Sequence, residues 1–242
     1  MRQRLHDERA PWRTELEALL LDAGNTVVFL DSDAVAGVAR AHGVIVDGPA
    51  LSRVEGAAKR RYEAALAGGA HHENGWRLYL TTLLVEAGVD EERASSLIDP
   101  LRAAHDELNL WRRVPEDLPA ALERARGLGL RLGVVSNSEG RLPELFAHVG
   151  LGDAFELIVD SAHEGVRKPD PEIFRRALSR MGVVAARAIY AGDIPSVDVD
   201  GAHAVGMHAA LIDPLGFYPE HASSMRFGSV AELVEWLATT AG

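Results

Sequence analysis

Asp22 closes the apolar run Leu16–Leu21, Ser136-Asn137 closes Leu130–Val135, and Gly192-Asp193 closes Ala188–Ala191. A lysine, Lys168, stands in Arg167-Lys168-Pro169-Asp170-Pro171, and a second aspartate, Asp198, follows Asp193 by five residues. Carboxylates can hold a hard cation or attack an electrophile. A hydroxyl, an amide and an ammonium can hold an anionic group. Each residue also has an ordinary reading when taken singly. Asp22 could form a turn, Ser136 could cap a helix or turn, Lys168 could be a solvated surface lysine, and Asp193 and Asp198 could be caps. Their order, and the strand ends they occupy, make them a candidate site.

The elements that would position them follow from hydrophobic pattern. Leu16–Leu21, Val27–Leu30, Leu130–Val135, Phe155–Val159, Ala188–Ala191 and His208–Ile212 are short apolar runs, which predict buried strands. Between them, Leu118/Leu122/Ala125, Leu142/Leu145/Phe146 and Ile173/Phe174/Ala177/Leu178/Met181 keep helical spacing. Pro171 suits a first helical turn, and Ser229-Val-Ala-Glu232 is a capping box that opens a last helix through Leu233 and Trp236. The alternation predicts an α/β fold with a Rossmann-like parallel sheet covered on both faces. In such sheets ligands bind at the C-terminal ends of the strands, where the polar residues stand. Residues 34–41, 50–66, 76–87 and 91–110 break this rhythm and read as consecutive helices, with the loop 67–75 dividing the middle pair. They predict a second, smaller domain inserted after the first strand. The first dozen residues read as a loosely packed extension.

Composition limits the alternatives. The chain has 242 residues, a formal net charge of −11, 47% hydrophobic and 25% charged residues, and no cysteine. That excludes disulfides, thiolate metal sites and cysteine nucleophiles, and it suits a cytoplasmic protein. The acidic balance argues against a nucleic-acid partner. No apolar run approaches the roughly 20 residues of a membrane helix, so no membrane partner is expected. The first residues, MRQRLHDERAPWRTELE, do not read as a secretory signal. The sequence leaves the oligomeric state open.

In this order the residues resemble the four motifs of the haloacid dehalogenase superfamily. Asp22-Ala-Gly-Asn-Thr26 matches the first, Gly133-Val-Val-Ser136-Asn137 the second, Lys168-Pro-Asp-Pro the third and Gly192-Asp193-Ile-Pro-Ser-Val-Asp198 the fourth. The resemblance implies a catalytic core of residues 13–31 and 113–242, a helical cap of residues 32–112 and an extension of residues 1–12. It implies Asp22 as nucleophile, with Lys168 neutralising charge and Ser136, Asn137 and Lys168 binding phosphate. It also implies Mg²⁺ held by Asp22, the Gly24 carbonyl, Asp193 and Asp198, and a small phosphorylated substrate.

One departure stands out. Phosphatases of this family carry a second aspartate two residues after the nucleophile as general acid and base, and here that position is Gly24. The loss of a general acid is typically worth about 10²–10⁴ in rate. Three readings follow. The first is a weakened or restricted phosphatase. The second is a 2-haloacid dehalogenase, whose halide leaves without a proton. The third is a catalytically silent phosphate-binding or interaction protein. His71, His72 and Glu73 could donate a proton or bind metal, or could form a solvated loop. Trp76, Tyr79 and Leu80 read as packing between the inserted helices, and Trp111 with Arg112–Arg113 as a return hinge.

Overall fold

A computed structural model describes residues 11–68, 72–218 and 225–239. The strands are β1 (Ala18–Leu21), β2 (Phe29–Leu30), β3 (Trp111–Arg113), β4 (Arg131–Ser136), β5 (Leu157–Asp160), β6 (Ala188–Gly192), β7 (His208–Ile212) and β8 (Met225–Phe227). The helices of the inserted segment are α1 (Ser32–Ala41), α2 (Gly48–Ala67), α3 (His72–Glu86), α4 (Glu91–Ser96) and α5 (Ile98–Glu107). Those that follow are α6 (Leu118–Gly127), α7 (Leu142–His148), α8 (Ser161–Glu164), α9 (Pro171–Met181), α10 (Asp200–His203) and α11 (Val230–Ala238). The chain divides into two compact units, Met1–Phe29 with Arg113–Gly242, and Leu30–Arg112.

The first unit is an α/β Rossmann-like fold. Its six strands run in the order β5-β4-β1-β6-β7-β8, and every neighbouring pair is parallel. β1 lies at the centre because its four residues, Ala18 to Leu21, are apolar and small enough to be wholly buried on both faces. On one face Ala18, Leu20, Val135 and Tyr190 pack with Ile173, Phe174 and Ala177 of α9. On the other, α6 packs with β4 and α11. Helix α9 starts where the sequence dictates: the Asp170 carboxylate accepts from the Glu172 amide at 2.9 Å, and Pro171, which has no N–H to lose, occupies the first turn. At the start of the described chain, Trp12 stacks on His208 and the Arg13 guanidinium lies over Trp236. Position 12, expected in a loose extension, is therefore docked. Among the described residues no helix is long and apolar enough to cross a membrane.

The second unit is helical around a core of Leu51, Leu80, Leu83, Leu84, Leu97 and Leu101. Trp76, Tyr79 and Leu80 are buried in that core, as their spacing suggests, with Tyr79 against Trp111 at 5.4 Å between ring centroids. The single helix expected over 91–110 is two, broken at Leu97. The break puts Pro100 in the first turn of α5, where its missing N–H and its ring are tolerated. β2 and β3 pair as a two-stranded ribbon, so the expected hinge at Trp111–Arg113 is a strand. The Asp31 amide donates to the Leu110 carbonyl at 2.8 Å, and Arg112 Nε donates to the Asp31 carboxylate at 2.8 Å. His71 lies outside the described residues, and His72 and Glu73 begin α3.

Candidate active site

Because the sheet is parallel, the C-terminal ends of β4, β1 and β6 lie on one edge, and each delivers a polar residue there. Ser136 ends β4, Asp22 follows β1 and Asp193 follows β6. All three are buried. The Asp22 amide donates to the Ala191 carbonyl at 2.8 Å, which fixes the start of the loop against β6. The loop then turns tightly, with the amides of Val27 and Val28 both donating to the Ala23 carbonyl at 2.9 Å. Asn25 takes the left-handed backbone that this turn needs, at φ 54°, and Gly24 is not among the glycines with positive φ. The Asn25 side chain also donates to Asp193 Oδ2 at 3.2 Å, tying the first loop to the one after β6.

Lys168 is at the centre of the site. Its ammonium donates to Asp22 Oδ1 at 2.7 Å, to Asp198 Oδ1 at 2.6 Å and to the Tyr190 hydroxyl at 2.8 Å. Its backbone is held as well: the Asn137 side chain donates to the Lys168 carbonyl at 2.9 Å and accepts from the Lys168 amide at 2.8 Å. Asn137 therefore spends its side chain on positioning the lysine. Asp198 folds back toward β6 because Gly192 carries no side chain; a Cβ there would stand 2.3 Å from the Asp198 carboxyl carbon. Asp198 Oδ2 then accepts from the Ile194 amide at 2.9 Å, so both of its oxygens are already bonded.

The electrostatics follow from burial. Desolvation, reinforced by the charges of Asp198 and Asp193 and only partly offset by Lys168, pushes the Asp22 carboxyl up to about 7. Burial alone would lower the Lys168 ammonium, but the charges of Asp198 and Asp22 outweigh it and hold that group above its ordinary value. Burial raises the Tyr190 hydroxyl well above the usual phenol range, so it stays neutral.

Asp22, Asp193 and Asp198 each offer a carboxylate oxygen within 4.8 Å of the others, and all three are buried. With all three ionised, one ammonium leaves two negative charges uncompensated. A hard divalent cation matches that charge, and an all-oxygen donor set without His or Cys suits it. The residues present fit such a group.

Sequence reasoning thus located each acid and the lysine that the structure brings together. It missed Tyr190, which stands in the middle of the apolar run Ala188–Ala191 and reads there as core.

The profile of the haloacid dehalogenase-like hydrolase family matches residues 16–206. Haloacid dehalogenase-like hydrolase domain-containing protein 3 of Mus musculus is 32% identical over 212 residues, covering 83% of each chain. Phosphoserine phosphatase of Thermus thermophilus is 36% identical over 154 residues, 62% of this chain and 61% of its own. In fold, the chain is similar to a HAD-hydrolase of Bacillus subtilis solved with magnesium bound. That match has a TM-score of 0.70 at 18% identity and covers 92% of this chain and 98% of the other. A parallel sheet that gathers Asp22, Lys168 and Asp193 at one edge, and a profile match over most of the chain, lead to one assignment: the protein belongs to the haloacid dehalogenase-like hydrolase family.

Proposed function

We propose that the protein is a Mg²⁺-dependent phosphatase of small phosphorylated molecules, working through an aspartyl-phosphate on Asp22. The observation that carries this reading is the buried cluster of Asp22, Asp193 and Asp198, two of them bonded to the Lys168 ammonium, at the C-terminal edge of the sheet. Phosphatases among the similar proteins agree with it.

Asp22, Asp193 and the Gly24 carbonyl would hold the cation, with Asp198 adding charge and anchoring Lys168. When bound, Mg²⁺ neutralises the phosphoryl oxygens so that an anionic nucleophile can approach them. Asp22 forms a bond to phosphorus as the bond to the leaving oxygen breaks, giving the acyl phosphate and the leaving group as its anion, which takes any proton it needs from water. Water then attacks phosphorus, releases inorganic phosphate and restores the Asp22 carboxylate. Ser136 and the Asn137 amide would receive phosphoryl oxygens, and Lys168 would balance the charge of Asp22 and of the incoming group. The helical unit Leu30–Arg112 would act as the cap that excludes water. Gly24 offers no proton to the leaving oxygen, which restricts the enzyme to leaving groups that depart as weak bases.

The test is phosphate release from a panel of phosphomonoesters and acyl phosphates with Mg²⁺ or with chelator. Release that requires Mg²⁺ is expected. No release from any compound with Mg²⁺ overturns the reading, and so does undiminished release in chelator. Chloride release from a 2-chloroacid in chelator would establish the dehalogenase instead.

A further inference from the structure

An ammonium has three protons to place, and the Lys168 ammonium, buried in the site, places all three. Two go to carboxylates, Asp22 and Asp198, and the third goes to the Tyr190 hydroxyl at 2.8 Å. The ammonium also lies 5.3 Å from the centroid of the Tyr190 ring, so the close polar contact is the one to the oxygen. Its own proton points away from the ammonium, which leaves a lone pair facing Lys168. Tyr190 donates to the Val135 carbonyl at 2.7 Å, closer than the 3.3 Å to Asp198 Oδ1. Val135 directly precedes Ser136 on β4, two strands from β6, so the phenol spans β1 to link the lysine to the strand that carries Ser136 and Asn137.

The ring has no freedom to withdraw. Tyr190 is wholly buried and meets Phe174 edge-on at 5.1 Å, and Phe174 is itself wedged against Gly201, where a Cβ would stand 2.7 Å from the ring. We infer that Tyr190 is a positioning residue of the reaction, a fixed neutral acceptor that holds the Lys168 ammonium in register with Asp22 and the phosphoryl site. Its oxygen keeps the third direction of the ammonium occupied while negative charge passes from the Asp22 carboxylate to the phosphoryl group, both of which Lys168 must balance. The kinetic consequence rests on the phosphatase reading; the placement of the ammonium does not.

The experiment uses both. The chain contains two lysines, Lys59 and Lys168, so in a Lys59→Arg background the side-chain ¹⁵N-ammonium signal belongs to Lys168 alone. In metal-free protein that ammonium should exchange with water far more slowly than a surface lysine, and Tyr190→Phe should speed the exchange roughly tenfold or more, since one buried donor loses its acceptor. With nitrophenyl phosphate and Mg²⁺, the same variant should lose about 10- to 100-fold in kcat with little change in KM, the pattern of a displaced catalytic group rather than a lost binding contact. Surface-like exchange in the Tyr190 protein overturns the inference even if the Phe variant does not fold. Unchanged exchange, or an unchanged kcat, in a folded Tyr190→Phe protein also overturns it. If the unsubstituted protein releases no phosphate, the phosphatase reading fails and the exchange measurement decides the role of Tyr190 by itself.

Discussion

Lowering the pH should weaken Mg²⁺ binding at a point where ordinary carboxylates do not titrate. Burial and the neighbouring carboxylates lift Asp22 from 3.8 to about 7, so in the metal-free protein a proton competes with the cation for the same oxygens. With half-protonation at about pH 7, roughly nine molecules in ten carry that proton at pH 6 and roughly one in ten at pH 8. The apparent affinity should therefore fall about tenfold from pH 8 to pH 6, close to 1.4 kcal/mol. An aspartate at 3.8 would stay ionised across this range and give a flat profile. The sign carries over to stability. A carboxyl whose folded value is raised stabilises the metal-free fold below 3.8 and loses that contribution as pH rises through about 7, so a fixed Mg²⁺ concentration should raise the melting temperature more at pH 8 than at pH 6. Titration calorimetry at pH 6, 7 and 8 in two buffers of different ionisation enthalpy measures both affinity and protons released. About 0.9 proton per cation is expected at pH 6 and about 0.1 at pH 8. Asp22→Asn, which cannot ionise, should flatten the profile. Affinities equal within about twofold at pH 6 and 8 would refute the argument.

Two further substitutions test the chemistry. Asp22→Asn keeps the shape of the side chain and removes the proposed nucleophile, so a folded variant should lose at least about 10⁴-fold in phosphate release and bind no beryllium fluoride as an acyl-phosphate mimic; near-normal release would rule out the covalent route. Because Gly24 supplies no acid, acyl and nitrophenyl phosphates should react about 10²–10⁴ times faster than alkyl phosphates, and Gly24→Asp should raise alkyl turnover about tenfold while leaving acyl phosphates nearly unchanged. Left-handed strain does not stand in the way of that variant, since the turn places its left-handed backbone at Asn25. Equal rates on both classes in the starting protein would mean that another residue donates the proton.

The sheet and the polar residues on its edge were legible because each signal is local. Asp22, Ser136 and Asp193 end apolar runs, and a parallel strand end is a place that sequence marks twice, by the run and by what stops it. The arrangement within the site is not local. Nothing in Ala188-Ile-Tyr-Ala191 shows that the hydroxyl of Tyr190 reaches a carbonyl two strands away. The side chain of Asn137, suited by type to an anion site, turns instead to the backbone of a residue 31 positions later. The helix expected over 91–110 ran through Pro100 because apolar spacing continues across it; the steric rule that a proline belongs in a first turn was the overlooked signal. β8 was missed because three residues, Met225–Phe227, are too few to show a period.

The pairing of β2 with β3, and the bonds of Asp31 to Leu110 and Arg112, bear on how the sheet accommodates its insert. The inserted segment of more than eighty residues leaves and returns at adjacent points, so its two ends are stitched to each other. A segment with joined ends costs the host sheet little more loop-closure entropy than a short turn would, because that cost grows only with the logarithm of loop length. Insertions of very different size and architecture can therefore be exchanged at this doorway while the register of β1 with β4 and β6 is untouched. The insert can then vary without shifting the strand ends that carry Asp22, Ser136 and Asp193.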